Sequence, residues 1–340
     1  MLDKKTVFVL GAGASCPYGY PSGKHLREYI CLPTNIPSAK AEALDEAIGS
    51  KSGFGDFRKK FEKSSTKSID LFMARNPKLA PVGKCIIAFE IFNAEHRSLF
   101  REQAEWVQEM RRSQMSESTR EQYLAKKDFQ GGIWYEYLFD RLTAGLARND
   151  DLPDFSEGKV AFITFNYDRS LEYFLYESFH NSFTEIPESQ IVQSLKGLRI
   201  LHIYGQIAPL KWQDSAQGVD YRPPINASLL SNASSYIRTI YEEQQNPELT
   251  EAHELLKTAE RIFFLGFGYA PENMDVLNLP ILIPPGCQVY GTAFGMMEKE
   301  VKDILHTVRS GRKADSDGYK EPYDTLIGPC DCLTLLREYL

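Results

Sequence analysis

The sequence predicts an α/β fold: a parallel sheet with helices on both faces and a large helical subdomain inserted after the first strand. Three observations predict it. Short apolar runs such as Thr6–Leu10 and Arg261–Leu265 suit strands covered on both sides. Two of these runs pass straight into glycines, Gly11-Ala12-Gly13-Ala14-Ser15 and Gly266-Phe267-Gly268-Tyr269, as strands do where a ligand lies over the sheet edge. Between the first strand and the next stand roughly a hundred residues of mostly helical pattern, too many for one crossover.

The first strand, TVFVL, leads through the glycine turn and Pro21-Ser22-Gly23 into HLREYI, whose apolar residues fall at helical spacing. Gly11 and Gly13 permit backbone approaches that a Cβ would forbid. Strand, glycine turn and helix together bring N–H groups up to a phosphate. The motif is not a full G-x-G-x-x-G, since Cys16 takes the place of the last glycine, and no Walker-type sequence is present. AKAEALDEAIG reads as a short helix ended by Gly49, and SIDLFMA as the capped start of another. Lys84 to Arg112 is a long helical stretch, SQMSESTREQ a polar loop, and Ile133 to Leu146 an aromatic helix. Its Trp134, Tyr135 and Tyr137 read as core or interface.

The second strand, VAFITF, ends in Asn166-Tyr167-Asp168-Arg169 before a helix running to Phe179. Polar residues at the carboxyl end of a buried strand point into the crevice where α/β proteins bind ligands. The same residues could serve only the backbone, Asn166 shaping the turn and Asp168 or Ser170 capping the helix. LRILHI is the third strand, with His202 near its carboxyl end and Tyr204-Gly205 beyond. Lys211 to Pro224 reads as a mobile loop over the site, followed by helices within 228–243 and 249–260. RIFFL is the fourth strand, and Pro271-Glu272-Asn273 begins a helix with proline where it is tolerated. QVYGT, ending at Thr292, is the last strand, before the helix MMEKEVKDILHTV, the polar loop SGRKADSDGYKEPY and the closing helix CDCLTLLREYL. The expected organisation is residues 1–35 and 155–310 as the sheet core, 36–154 as the inserted module, and 311–340 as a C-terminal loop and helix.

Composition narrows the function. The net charge of −7 disfavours a broad nucleic-acid surface. No apolar run reaches a membrane span or a signal-peptide core, so a cytoplasmic protein is expected. The six cysteines include no C-x-x-C, and no metal is expected. The strand ends G-A-G-A-S, F-N-Y-D, G-F-G-Y and Y-G-T meet on one side of the predicted sheet, which makes a nucleotide site.

VLGAGAS, YPSGKHL, ITFNYDRSLE, LHIYG and FFLGFGYAPENMDVL, in this order, resemble the sirtuin-like domain of bacterial anti-phage effectors. SIDLFMARNP and IWYEYLFDRL look like helices of the same family, so the resemblance spans approximately residues 5 to 300. It implies a Rossmann-like domain beside a helical module, hydrolysing NAD+ to nicotinamide and ADP-ribose in the cleft between them as a toxic effector. By the resemblance, Asn166 positions the attacking water and the nicotinamide ribose, and Asp168 supports that ribose. Gly11, Ala12, Gly13 and Ser15 would hold the pyrophosphate region; Gly266, Gly268 and Thr292 would line the adenosine side. The family commonly has His-Gly where this chain has Tyr204-Gly205. Residues 202 and 204 lie on the same side of an extended strand, so either His202 or Tyr204 could take the base position. The missing cysteine pairs disfavour a protein-deacylating sirtuin. A homo-oligomer and a defence-system partner protein are expected. Two other readings are a nucleotide-binding sensor or scaffold without turnover, and a subunit active only beside a partner such as an ATPase.

Overall fold

The computed structural model describes residues 2–32, 38–98, 100, 133–146, 151–239, 242, 246–310 and 325–340. Six strands form one sheet: β1 (Thr6–Leu10), β2 (Val160–Thr164), β3 (Arg199–His202), β4 (Arg261–Leu265), β5 (Gln288–Thr292) and β6 (Thr325–Gly328). Their order is β3-β2-β1-β4-β5-β6 and every neighbouring pair is parallel. This is the Rossmann-like order, in which the winding reverses between β1 and β4.

Register explains why the central strands are apolar on both faces. Phe8 pairs with Phe162 on one side and Phe263 on the other, and Phe263 pairs with Tyr290. The rings form a continuous row across four strands, with centroids 5.0, 5.4 and 5.1 Å apart. The alternate residues Val7 and Val9 are equally buried against the opposite layer. Each such side chain removed from water stabilises the fold by about 1.5–3 kcal/mol. That is why these runs do not alternate.

Thirteen helices complete the described residues: α1 (Gly23–Cys31), α2 (Ser38–Ile48), α3 (Gly53–Lys63), α4 (Ile69–Arg75), α5 (Ala80–Arg97), α6 (Tyr135–Thr143), α7 (Ser170–Ser182), α8 (Glu188–Gly197), α9 (Ala227–Tyr236), α10 (Pro247–Lys257), α11 (Pro271–Val276), α12 (Glu298–Ser310) and α13 (Cys332–Tyr339). The expected punctuation is in place. Gly49, at φ 72°, follows α2, Ser68 accepts from the N–H groups of Asp70 and Leu71, and Pro271 opens α11. None of the described helices is long and apolar enough to cross a membrane.

The division into segments differs from the sequence reading in three places. Residues 325–328 are not part of a C-terminal loop; they form β6, which pairs with β5 and extends the sheet. The helical layer α2, α3 and α5 includes α9, which comes from the second half of the chain. Conversely, α6 packs on α7 and α13 rather than with the inserted helices. The aromatic run before it is pinned to the β1 turn: Tyr18 Oη accepts from the N–H groups of Trp134 and Tyr135, at 2.8 and 2.7 Å. Trp134 Nε1 also donates to the Ala14 carbonyl at 2.9 Å. The expected helix over 101–112 and the polar loops after 112 and 310 lie outside the described residues.

Candidate functional site

A cavity of about 900 Å³ opens at the carboxyl ends of β1 and β4, where the winding reverses. Its floor is made by the two glycine turns, with Gly11, Ala12 and Gly13 from one and Gly266, Phe267 and Gly268 from the other. The turns touch. A Cβ on Gly13 would lie 2.8 Å from the Gly266 Cα, and one on Gly266, at φ 55°, would lie 1.9 Å from the Ala14 nitrogen. Their lack of side chains is therefore needed for turn-on-turn packing. Gly268 is the exception: a Cβ there would meet nothing within 4 Å, so this glycine widens the cavity itself.

The β1 turn does not run directly into a helix as the sequence reading expects. It continues into two short 3₁₀ turns, and α1 starts only at Gly23. The Gly11, Gly13, Ala14 and Ser15 N–H groups donate to Leu265, Gly266, Gly11 and Ala12 carbonyls at 2.9–3.2 Å. They are already used. Ser15 is buried and absent from the cavity wall, its hydroxyl accepting from Asn166 Nδ2 at 3.0 Å. Thr292 does line the cavity; its Oγ1 accepts from the Gly266 N–H at 2.8 Å and fixes the second turn.

The polar residues after β2 lie one layer behind the floor. Asn166, 7% exposed, donates from Nδ2 to the Gly11 carbonyl and Ser15 Oγ, both at 3.0 Å. Its Oδ1 is buried and has no protein partner, an acceptor kept waiting for a donor. Asp168 accepts from the Ser170 N–H at 3.1 Å and from the Ser170 hydroxyl, the capping role open to it from sequence. Burial raises its carboxyl above the usual range, although the Ser170 and Ser15 hydrogen bonds pull the other way.

His202 does not take the base position. β3 ends at this residue, so the strand alternation that would align 202 with 204 ends there too. The ring Nδ1 pairs with the Asn166 carbonyl at 2.9 Å and Nε2 with Glu172 Oε1 at 2.6 Å. Burial works to lower its pKa, but the Glu172 carboxylate and these hydrogen bonds outweigh it and push the imidazole up to about 9. It is a buried imidazolium with both nitrogens engaged, and it is absent from the cavity wall. Tyr204 does reach the cavity, where its hydroxyl donates to Asn273 Oδ1 at 2.8 Å.

Lys211 to Pro224 does not cover the site either. Arg169, wholly buried, donates to the Pro209, Val219 and Asp220 carbonyls at 3.2, 2.9 and 2.6 Å and pairs with Glu95 at 3.0 Å. The segment is clamped against α5, outside the cavity wall.

Several wall residues escape a sequence reading. Asp70, on the first turn of α4, accepts from the Tyr167 hydroxyl at Oδ1 and from Ser68 Oγ at 3.2 Å. Burial raises its carboxyl; the two hydroxyls counter that in part, and Glu272, also in the wall, adds to the rise. The one signal available in sequence is a lone aspartate in the apolar run SIDLFMA. Arg97 ends α5 and His25 sits on α1, and both line the cavity. Cys16, Cys330 and Cys332 complete the wall as free thiols, and burial pushes the Cys16 thiol up to about 11. No group of three or more His, Cys, Asp or Glu among the described residues is placed to hold a metal ion.

The strand order and the cavity at its switch point define an α/β protein of Rossmann-like topology with a cleft of ligand size. Comparison with protein-family models finds no match, and no curated protein matches the chain.

Proposed function

We propose that the cavity binds NAD+ and that the protein hydrolyses it to nicotinamide and ADP-ribose, as a toxic effector of anti-phage defence. The observation that carries the reading is the cavity's place at the β1/β4 switch point, joined to a wall whose carboxylates include Asp70 and Glu272. The volume of about 900 Å³ lies in the range of cofactor sites. The unpaired Asn166 Oδ1, one layer behind the floor, fits an ordered water as its missing donor.

In this reading the bond between nicotinamide nitrogen and ribose carbon breaks with its electron pair leaving on nicotinamide. Positive charge develops on the ribose, and carboxylates in a partly dry wall stabilise it. Water adds to that carbon and loses one proton, which a wall carboxylate accepts before passing it to solvent. Asp70 suits this task because burial brings its affinity for a proton closer to neutral pH. Tyr167 and Ser68 orient it. His202, through the Asn166 carbonyl, positions the floor and does not touch the reacting atoms.

The test is nicotinamide release from NAD+ by purified protein, wild type beside Asn166→Ala and Asp70→Asn. Release by the wild type should fall at least about 100-fold in both variants. Full release by Asp70→Asn would move the proton transfer elsewhere. Tight NAD+ binding without release, alone and with its defence partner, would replace the hydrolase by a nucleotide sensor.

A further inference from the structure

Part of the cavity wall is aromatic. Phe165 follows β2, Tyr204 lies beyond the end of β3, and Phe267 belongs to the turn after β4; all three line the cavity and are buried from bulk water. Their contacts are continuous. The Phe165 ring centre lies 5.2 Å from that of Tyr204, edge to face at 75°, and 5.5 Å from that of Phe267. The chain of contacts goes on through the Tyr204 hydroxyl, which donates to Asn273 Oδ1 at 2.8 Å. Asn273, half-buried on α11, lines the cavity as well, and so does Glu272 just before it. With Oδ1 held by the tyrosine proton, the other end of the amide is the free one. Among the described residues no protein acceptor engages Asn273 Nδ2. Three rings are thus joined to one oriented hydrogen-bond donor, with a carboxylate next to it in the chain.

We infer that this corner of the cavity receives a planar, positively charged ring bearing a carboxamide, and that Tyr204 is the positioning residue that orients Asn273 toward it. The inference deepens the NAD+ reading and rests on it for everything in the ligand beyond the ring. The faces of aromatic rings are negative, so they hold a cationic ring better than a neutral one. Asp70 and Glu272 share the wall, and the charge of Glu272 is felt at Asp70. Such surroundings favour a cation and repel a carboxylate. A carboxamide also complements the polar pair: its oxygen accepts from Asn273 Nδ2, and its amino group donates to Glu272. The corresponding carboxylic acid would set like charge against Glu272. An unrestrained asparagine amide can turn over and present either end. The Tyr204 hydroxyl, by donating to Oδ1, removes that freedom. In this assignment Tyr204 supplies orientation and takes no proton from the ligand.

The experiment is NMR titration with nicotinamide methylated on its ring nitrogen, a probe that carries the charged ring and no ribose bond to cleave. Neutral nicotinamide and trigonelline, the carboxylate counterpart of the probe, are titrated beside it. The proteins are wild type, Tyr204→Phe, Asn273→Ala and the double variant, each with a thermal melt to keep folding apart from binding. Wild type should bind the methylated amide about 3- to 10-fold more tightly than either analogue. Each single substitution should weaken it about 3- to 10-fold, the loss of one hydrogen bond. The double variant should bind no more weakly than Asn273→Ala, because Tyr204 acts through that side chain. Losses that add in the double variant overturn the role given to Tyr204. Equal binding of the three probes, or a wild type that binds none, overturns the ring site. Nicotinamide release from NAD+ is followed on the same proteins. Coupled losses of probe binding without any release would remove the hydrolase and leave the ring site standing. Release by wild type, with probe binding unchanged in both single variants, would do the reverse.

Discussion

Raising the pH from 6.5 to 9.5 should cost this protein stability through one residue, His202. The imidazole is raised from its ordinary 6.5 to about 9 in the folded protein. A group raised on folding contributes its full stabilisation below the unfolded pKa and loses it as pH climbs through the folded value. At about 1.4 kcal/mol for each pH unit, the rise corresponds to about 3 kcal/mol, present at pH 6 and gone near pH 10. Burial does not dilute this contribution, because the side chains of His202 and Glu172 are only 6% and 2% exposed. The assay is urea unfolding of wild type and His202→Gln at half-unit steps of pH. The variant should start less stable, and the difference should shrink as pH rises from about 6.5 to about 9 and level off above that. A difference independent of pH between 6.5 and 9.5 would refute the ion pair and leave His202 as packing. The functional counterpart sits at the Asn166 carbonyl, which accepts from this ring. A neutral ring no longer pairs with the Glu172 charge, so the cavity floor should loosen over the same pH range.

Two further perturbations separate packing from ligand space. Gly266→Ala places a methyl 1.9 Å from the Ala14 nitrogen at φ 55°, and should destabilise the fold by about 3 kcal/mol or more in chemical unfolding. Gly268→Ala meets no atom within 4 Å and should change stability by no more than about 0.5 kcal/mol while weakening nucleotide binding in titration. Glu95→Gln strands the wholly buried Arg169 guanidinium and should cost about 3–5 kcal/mol, seen as a lowered urea midpoint. It should also release the 207–223 segment to limited proteolysis, since Arg169 holds three of its carbonyls.

What could be read from sequence was what depends on near neighbours. The apolar runs of β1, β2 and β4 carry their burial in five consecutive residues and β5 in four, and their glycine or polar ends mark the edge where the cavity lies. β6 was not legible because TLIG is four residues long and leaves Leu326 40% exposed, so it lacks the pattern of a covered strand. The close backbone approach at Gly11 and Gly13 is legible, but not what approaches: each turn needs the absence of a Cβ because of the other turn, far away in sequence. His202 was misplaced by assuming that β3 continues to Tyr204. Asp70, Arg97 and His25 reach the cavity through helix packing, and no local spacing encodes that meeting.

The cavity draws residues from Gly11 to His25 and from Cys330 to Cys332, segments far apart in sequence. Chains emerge from the ribosome with the N-terminal part first and fold as they emerge. The floor at β1 is thus made early, but β6 and the Cys330 and Cys332 thiols beside it arrive after the other five strands. No nascent chain short of them can close the cavity. If the site destroys a metabolite that the whole cell depends on, the order of synthesis keeps every unfinished copy harmless to the ribosome that is making it.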